Sequence, residues 1–340
     1  MCPAPETNKR VPQPAQVDLN AWRPSAAQPV LRARAQMLAG IRAFFAAREV
    51  LEVETPMLSQ AATTDPALAS MRVAGLGYWL HTSPELPMKR LLASGLGPIY
   101  QICRVFRDGE RGRLHHPEFT LLEWYRPGWT LSALMQEVAD LVHDLLHRLE
   151  LPPKPPLELP VEFIRYRELF QCGLDIDPWH CSPRELQAVA QARGLGAGLK
   201  LDTDAWLDFL LTHCLEPQLG QHGLSFVQDY PPSQAALARL SEDDPPHAQR
   251  FELYWQGIEL ANGFQELTDA AQQRQRFAED QAVRAASGLA PVAQDEQFLA
   301  ALEAGLPESA GVALGLDRLL MLACGAERID QVLAFPIERA

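Results

Sequence analysis

Leu38, Ile41, Phe44 and Phe45 recur at helical spacing in an alanine-rich stretch that ends near Arg48, so the pattern predicts a helix there. Leu51 and Val53 then alternate with Glu52 and Glu54, the pattern of a half-buried strand. Thr55-Pro56 ends it, because proline has no N–H to give a ladder. Further on, Leu134, Met135, Val138, Leu141, Val142, Leu145 and Leu146 share one broad face of a helix running from about Leu131 to Leu149. Prolines at 152, 153, 155 and 156 break the chain after it. Residues 157 to about 245 read as a less regular, partly helical insertion. Within it, Ser182-Pro183-Arg184-Glu185 is a capping box and Gly194 closes the helix it opens. Leu207, Leu210, Leu211, Cys214 and Leu215 mark another helix. Strands are predicted from Phe251 to Trp255 and from Ile258 onward, and Gly311 to Cys324 reads as a short strand turning into a helix. The order lacks regular βαβ alternation, which predicts an α+β fold with an antiparallel sheet flanked by helices.

Composition narrows this picture. The 340 residues supply apolar content for a core, while residues 1–28 hold five prolines and little periodicity, an irregular arm. No run of about eighteen apolar residues is free of charge, so no membrane span is expected. The arm carries Lys9 and Arg10 with no apolar stretch behind them, so neither a signal peptide nor an anchor is predicted. Six cysteines without a C-x-x-C pair read as reduced thiols of a cytoplasmic protein rather than a zinc site. A net charge of −13 weighs against a broad nucleic-acid footprint, although a local basic groove is compatible with it.

Four segments carry candidate chemistry. Thr82-Ser83-Pro84-Glu85, read alone, is a helix start with an N-cap, a proline and an acid in the first turn, and it leads on to Lys89-Arg90. Arg104, Arg107, Arg111 and Arg113 put four guanidinium groups within ten residues, a pattern suited to phosphate oxygens. Asp108-Gly109 is a favoured two-residue hairpin turn that would aim Arg107 and Phe119 into one cleft; the alternative is a solvated charged hairpin. Glu252 and Glu259 flank a turn at 255–256 or 256–257, which puts them on one sheet face with β-carbons about 5 to 8 Å apart, close enough to share a cation. A merely solvated acidic ladder remains the other reading. In Gly311-Val312-Ala313-Leu314-Gly315-Leu316-Asp317-Arg318 the glycines permit close backbone approach, and Arg318 falls in the first helical turn, where an anion is favoured.

Together and in this order, the segments resemble the signatures of class II aminoacyl-tRNA synthetases. The helix and strand ending at Pro56 resemble motif 1, Arg107 to Phe119 motif 2, and Gly311 to Arg318 motif 3. Within the class the likeness is to lysyl-tRNA synthetases, through Thr82 to Glu85, His115 to Phe119 with Glu123 and Tyr125, and Glu259 to Glu266. It spans about residue 30 to the C-terminus, so residues 29–340 would form one catalytic domain. Three traits set the chain apart: a short arm where those synthetases carry an anticodon-binding barrel, Ala313 in place of the central motif 3 glycine, and the run Leu121-Leu122-Glu123-Trp124-Tyr125-Arg126. These resemble the branch whose members join (R)-β-lysine to elongation factor P.

The resemblance implies an ATP- and Mg2+-dependent ligase in which Arg107 and Arg318 are catalytic. Arg107 would hold the α-phosphate and the substrate carboxylate, and Phe119 would stack on adenine. His115 and Arg318 would hold the outer phosphates. Asp108, Gly109, Glu110, His116, Leu260 and Gly315 would complete the ATP site with Glu259; the usual acid two residues after Arg107 is Gly109 here, with Glu110 next, so that contact is either shifted to Glu110 or lost. Glu252 and Glu259 would hold magnesium. Ser83, Pro84 and Glu85 would face the substrate's carboxylate and amino end. Glu123, Tyr125 and Glu266, with Asn262 beside them, would receive its side-chain ammonium. The implied partners are lysine or (R)-β-lysine and elongation factor P, met by Arg111 and Arg113 at the cleft mouth, with no stable tRNA complex, no membrane, and a homodimer formed through motif 1.

Overall fold

The computed structural model describes residues 22–151 and 159–340. Residues 1–21 of the expected arm and the prolines at 152, 153, 155 and 156 lie outside the described residues. Helix α1 (Gln28–Ala46) buries Met37, Ile41, Phe44 and Phe45 along one stripe, as its spacing predicts. Strands β1 (Leu51–Glu52), β2 (Leu58–Ser59) and β3 (Trp79–Leu80) are two residues each. The strand expected to be half-buried thus shrinks to Leu51 and Glu52, both exposed, because it sits at a sheet edge. Helix α2 (Glu85–Ala93) is followed by β4 (Ile99–Phe106), β5 (Glu118–Pro127) and α3 (Leu131–Arg148). Thr130 caps α3, accepting from the Ala133 N–H.

The region read as an insertion holds β6 (Val161–Arg165), α4 (Tyr166–Leu174), α5 (Pro183–Ala192), α6 (Thr203–Leu210) and β7 (Leu224–Tyr230). Both arms of the predicted capping box form between Ser182 and Glu185. The helix expected through Leu215 is α6 continued by a π-helical turn, Leu211–Leu215. Strands β8 (Ala248–Trp255) and β9 (Ile258–Gln265), helices α7 (Ala270–Ala286) and α8 (Glu296–Gly305), strand β10 (Ser309–Gly315) and helix α9 (Leu316–Ala323) complete the chain.

Among the described residues one large sheet runs β1-β4-β5-β10-β9-β8-β7-β6. Its edge pairs β1·β4 and β6·β7 are parallel and every pair between them is antiparallel, so the α+β expectation holds. Strands β6 and β7 tie the supposed insertion into this sheet. Pairing of β10 with both β5 and β9 sets Ala313 opposite Glu123 on one side and Asn262 on the other. Strand β5 alternates faces as a pleated strand must. Trp124 and Arg126 point to the core side, where both donate to Glu137 of α3, while Glu123 and Tyr125 line the opposite face. The cysteines of the described residues are free.

Candidate active site

The first half of the site is a buried acidic pocket. Pro84, not Ser83, occupies the cap position of α2. Ser83 Oγ nevertheless accepts from the Glu85 N–H at 2.9 Å and donates to Glu123 at 3.0 Å. The Tyr125 hydroxyl donates to the other Glu123 oxygen at 2.5 Å. Glu266, at the end of β9, and Glu85 converge on Lys89, whose Nζ lies 2.5 Å from Glu266 and 2.7 Å from Glu85. Lys89, Glu123 and Glu266 are each at most 2% exposed. Burial, reinforced by the charge of Glu85, pushes Glu123 up to about 8. Burial pushes Glu266 up to about 7, with Lys89 pulling the other way. Burial acts against the charged form of Lys89 too, but the charges of Glu266 and Glu85 outweigh it and hold the ammonium above its usual range. Gly311 forms one wall of this pocket: a β-carbon there would stand 2.4 Å from Glu266 Oε1 and 2.4 Å from the Tyr125 ring.

The second half is cationic. Arg107 follows β4, its guanidinium 5.1 Å from the centre of the Phe119 ring. Its Nε is buried without a hydrogen-bond partner, an orphan donor that suits an anion. Arg318, in the first turn of α9, donates to the Glu259 carbonyl at 2.9 Å and to its carboxylate at 3.3 Å. It also meets His115 Nε2 at 2.9 Å. Burial, then the charge of Arg318, hold His115 below its ordinary pKa, so the neutral ring accepts that bond. Glu110 stands 3.5 Å from the same imidazole nitrogen.

One reading needs correction, and two more are narrowed. Asp108-Gly109 forms a turn, but the arms of β4 and β5 are joined by residues 107–117, not by a two-residue hairpin, and both residues are exposed at the rim. The Asp108 N–H is bound to Ala69 instead, at 2.8 Å. His116 spends both ring nitrogens on backbone, at Glu118 and at the Ile337 N–H, so a nucleotide would meet its backbone or ring face and not a ring nitrogen. The Leu260 side chain is in the core, so only its backbone can face a ligand. Gly315 ends β10 and caps α9, and a β-carbon there would meet nothing closer than the Leu260 carbonyl at 3.7 Å.

The carboxylate pair comes from β8 and β9, with Glu259 beside Arg318. Gln256 and Gly257, with φ of 52° and 71°, make the turn between β8 and β9. A bulge between Leu253 and Tyr254 then sets Glu259 opposite Tyr254 and Glu252 opposite Asn262, so the two acids are diagonal neighbours. Burial first, then the charge of Glu252, raise Glu259. Its side chain is still 37% exposed, so water or a ligand reaches it. Glu252 accepts from the hydroxyls of Tyr230 and Tyr254 and from Arg250, which also donates to Asn262 at 3.3 Å. Glu216 is pushed up to about 7 by burial and then by Glu259 and Glu252. No group of three metal-ligating side chains occurs among the described residues. Two hard oxygen donors, one open to the cleft and raised by like charge, fit the partial protein shell that Mg2+ takes beside phosphates.

Sequence reasoning gave no role to Lys89, Arg250, Glu216 or Asp317. The spacing of Glu85 and Lys89 at i and i+4 was a readable signal. The others depend on long-range contacts, as with Asp317, which accepts from the Thr120 N–H and from Arg34 of α1. Arg111 and Arg113 are exposed, near Glu338 and the Glu327 carbonyl respectively. No helix of the described residues is long and apolar enough to cross a membrane.

Comparison with known proteins adds to this geometry. The model of the family "tRNA synthetases class II (D, K and N)" matches residues 15–339. Three relatives carry the name elongation factor P–(R)-β-lysine ligase. That of Erwinia tasmaniensis is 48% identical over 95% of this chain and 99% of its own length. Those of Edwardsiella ictaluri and Klebsiella pneumoniae are each 47% identical, over 95% and 94% of this chain and 99% and 98% of theirs.

Proposed function

We infer that this chain, which belongs to the class II tRNA synthetase family (D, K and N), is an ATP-dependent ligase that activates (R)-β-lysine, or lysine, and transfers it to elongation factor P. The observation that carries the substrate end is the pocket in which Glu85, Glu123 and Glu266 face a single lysine. A buried carboxylate cluster of that kind is completed by cationic ligands, because unpaired buried charge is costly.

The substrate's ammonium groups bind Glu85, Glu123 and Glu266, with Tyr125 and Ser83 orienting Glu123 and Asn262 beside them. This directs the carboxylate toward Arg107, whose unpartnered Nε binds it together with the α-phosphate. A carboxylate oxygen attacks the α-phosphorus, the bond to the bridging oxygen breaks, and pyrophosphate leaves. Phe119 stacks on adenine, and Arg318 with neutral His115 holds the outer phosphates as charge moves onto them. Mg2+, held by Glu259 and Glu252 when bound, supplies further neutralisation of that charge. In the second step a lysine ε-amine of elongation factor P attacks the carbonyl carbon of the adenylate. AMP leaves, an amide forms and one proton is released. Arg111 and Arg113, both exposed, support docking of an acidic protein surface despite the net charge of −13. The Ala313 methyl, opposite Glu123 and Asn262, crowds the α-amino corner and favours (R)-β-lysine, whose amine sits one carbon further along.

Intact-mass spectrometry of elongation factor P after incubation with ATP and each isomer tests this. One lysyl-sized increment should appear, sooner with the β-isomer. No increment with either isomer, alongside efficient charging of lysine tRNA, would overturn it.

A further inference from the structure

Lys89 takes no part in the steps above, yet it is as deeply buried as the acids it serves, at 1% exposed. Lysine is rarely buried so completely unless it is paired. Here it is paired twice, with Glu266 at 2.5 Å and Glu85 at 2.7 Å, and the Phe298 ring centre stands 5.9 Å from its ammonium. The ionisable groups around it are Glu85 on its own helix, Glu123 and Tyr125 from β5, and Glu266 at the end of β9. Three carboxylates therefore face one resident cation.

We propose that Lys89 is a positioning residue: a built-in ammonium that holds Glu85 and Glu266 in place and leaves the pocket short of two positive charges, the number a diamino acid brings. The inference rests on the substrate class argued above. Glu123 and Glu266 take up protons readily in the empty pocket, so substrate ammonium groups compete with protons for them. Lys89 tips that competition toward the substrate by favouring the ionised form of Glu266. Without it, protons bind the acids more tightly, and the penalty falls mainly on substrate binding at lower pH.

The test is pyrophosphate exchange by the full chain and by Lys89→Met, a neutral side chain of similar length, between about pH 6.5 and 8.5. The variant-to-wild-type ratio of amino-acid KM should be about tenfold larger at the acidic end than at the basic end, as a rise of one unit in the acids' pKa requires, with the ATP KM unchanged. A ratio that is flat with pH, or a loss confined to kcat, would assign Lys89 to packing alone and overturn the inference. If Lys89→Met does not fold, Lys89→Met/Glu85→Gln, which removes one negative charge with the lysine, should regain folding; failure of this pair would overturn the inference equally. Absence of exchange by the wild type with both isomers would instead refute the substrate reading.

Discussion

Gly311→Ala adds one methyl group at a position with no room for it. The new β-carbon would lie 2.4 Å from Glu266 Oε1 and 2.4 Å from two carbons of the Tyr125 ring, far inside contact distance. Neither neighbour yields easily. Tyr125 is 2% exposed and its hydroxyl is bound to Glu123, while Glu266 is held by Lys89. Overpacking of this kind costs about 1–3 kcal/mol. For a chain of 340 residues, with an unfolding entropy of about 0.7 kcal/mol/K, that lowers the melting temperature by only about 1.5–4 °C. The larger effect is local, because shifting either residue moves two of the groups that receive the substrate amine. A displacement near 1 Å at such a site raises the amino-acid KM by about ten- to a hundredfold. Steady-state pyrophosphate exchange, with amino acid and ATP varied separately, reads the effect. The ATP KM should stay within about twofold, since the three atoms nearest the added methyl group belong to Glu266 and Tyr125, not to Arg107, Phe119 or Arg318. An unchanged amino-acid KM would refute the assignment of Gly311 to the pocket wall, and equal rises in both constants would refute the division of the site into two halves.

Glu259→Gln should abolish pyrophosphate exchange while leaving the thermal melt intact, because it removes a hard oxygen ligand from a site shared with phosphates; full activity at equal Mg2+ would remove Glu259 from the metal site. Glu123 and Glu266 rise from an ordinary 4.5 to about 8 and about 7, so their contribution to stability is present below the ordinary value and lost as pH rises through the folded values. The ligand-free melting temperature should therefore fall between about pH 4.5 and 8 and level off above, and saturating lysine should protect progressively more as pH rises toward 8; protection independent of pH would contradict the buried-acid pocket. Leu51, Met57 and Leu58, at 50%, 48% and 44% exposed, lie in and just after β1 in the chain and are expected to close an isologous dimer. Sedimentation at micromolar concentration should show a dimer, and Leu51→Glu should weaken it; a wild-type monomer would exclude that interface.

The sequence by itself determined what depends on local periodicity and on side-chain chemistry. The stripes of α1 and α3, the Ser182–Glu185 capping box and the paired strands around Gln256-Gly257 follow from spacing and turn propensity, and each is present. So does the supply of guanidinium and carboxylate groups from which the proposed ATP and substrate sites are assembled. Tertiary structure decided which of these groups meet. The pairing of β10 between β5 and β9 brings Ala313 to Glu123 and Asn262, and nothing local to any one strand encodes that register. Strands β6 and β7 joined the main sheet although their region reads as irregular, because strands are stabilised by ladder bonds to neighbours distant in sequence. His116 was taken by the Ile337 N–H, more than two hundred residues away in the chain. Lys89, Glu123 and Glu266 acquire their shifted proton affinities only when the fold excludes water and sets their charges side by side. Burial and Coulomb interaction act through space, while sequence spacing reports only on neighbours along the chain.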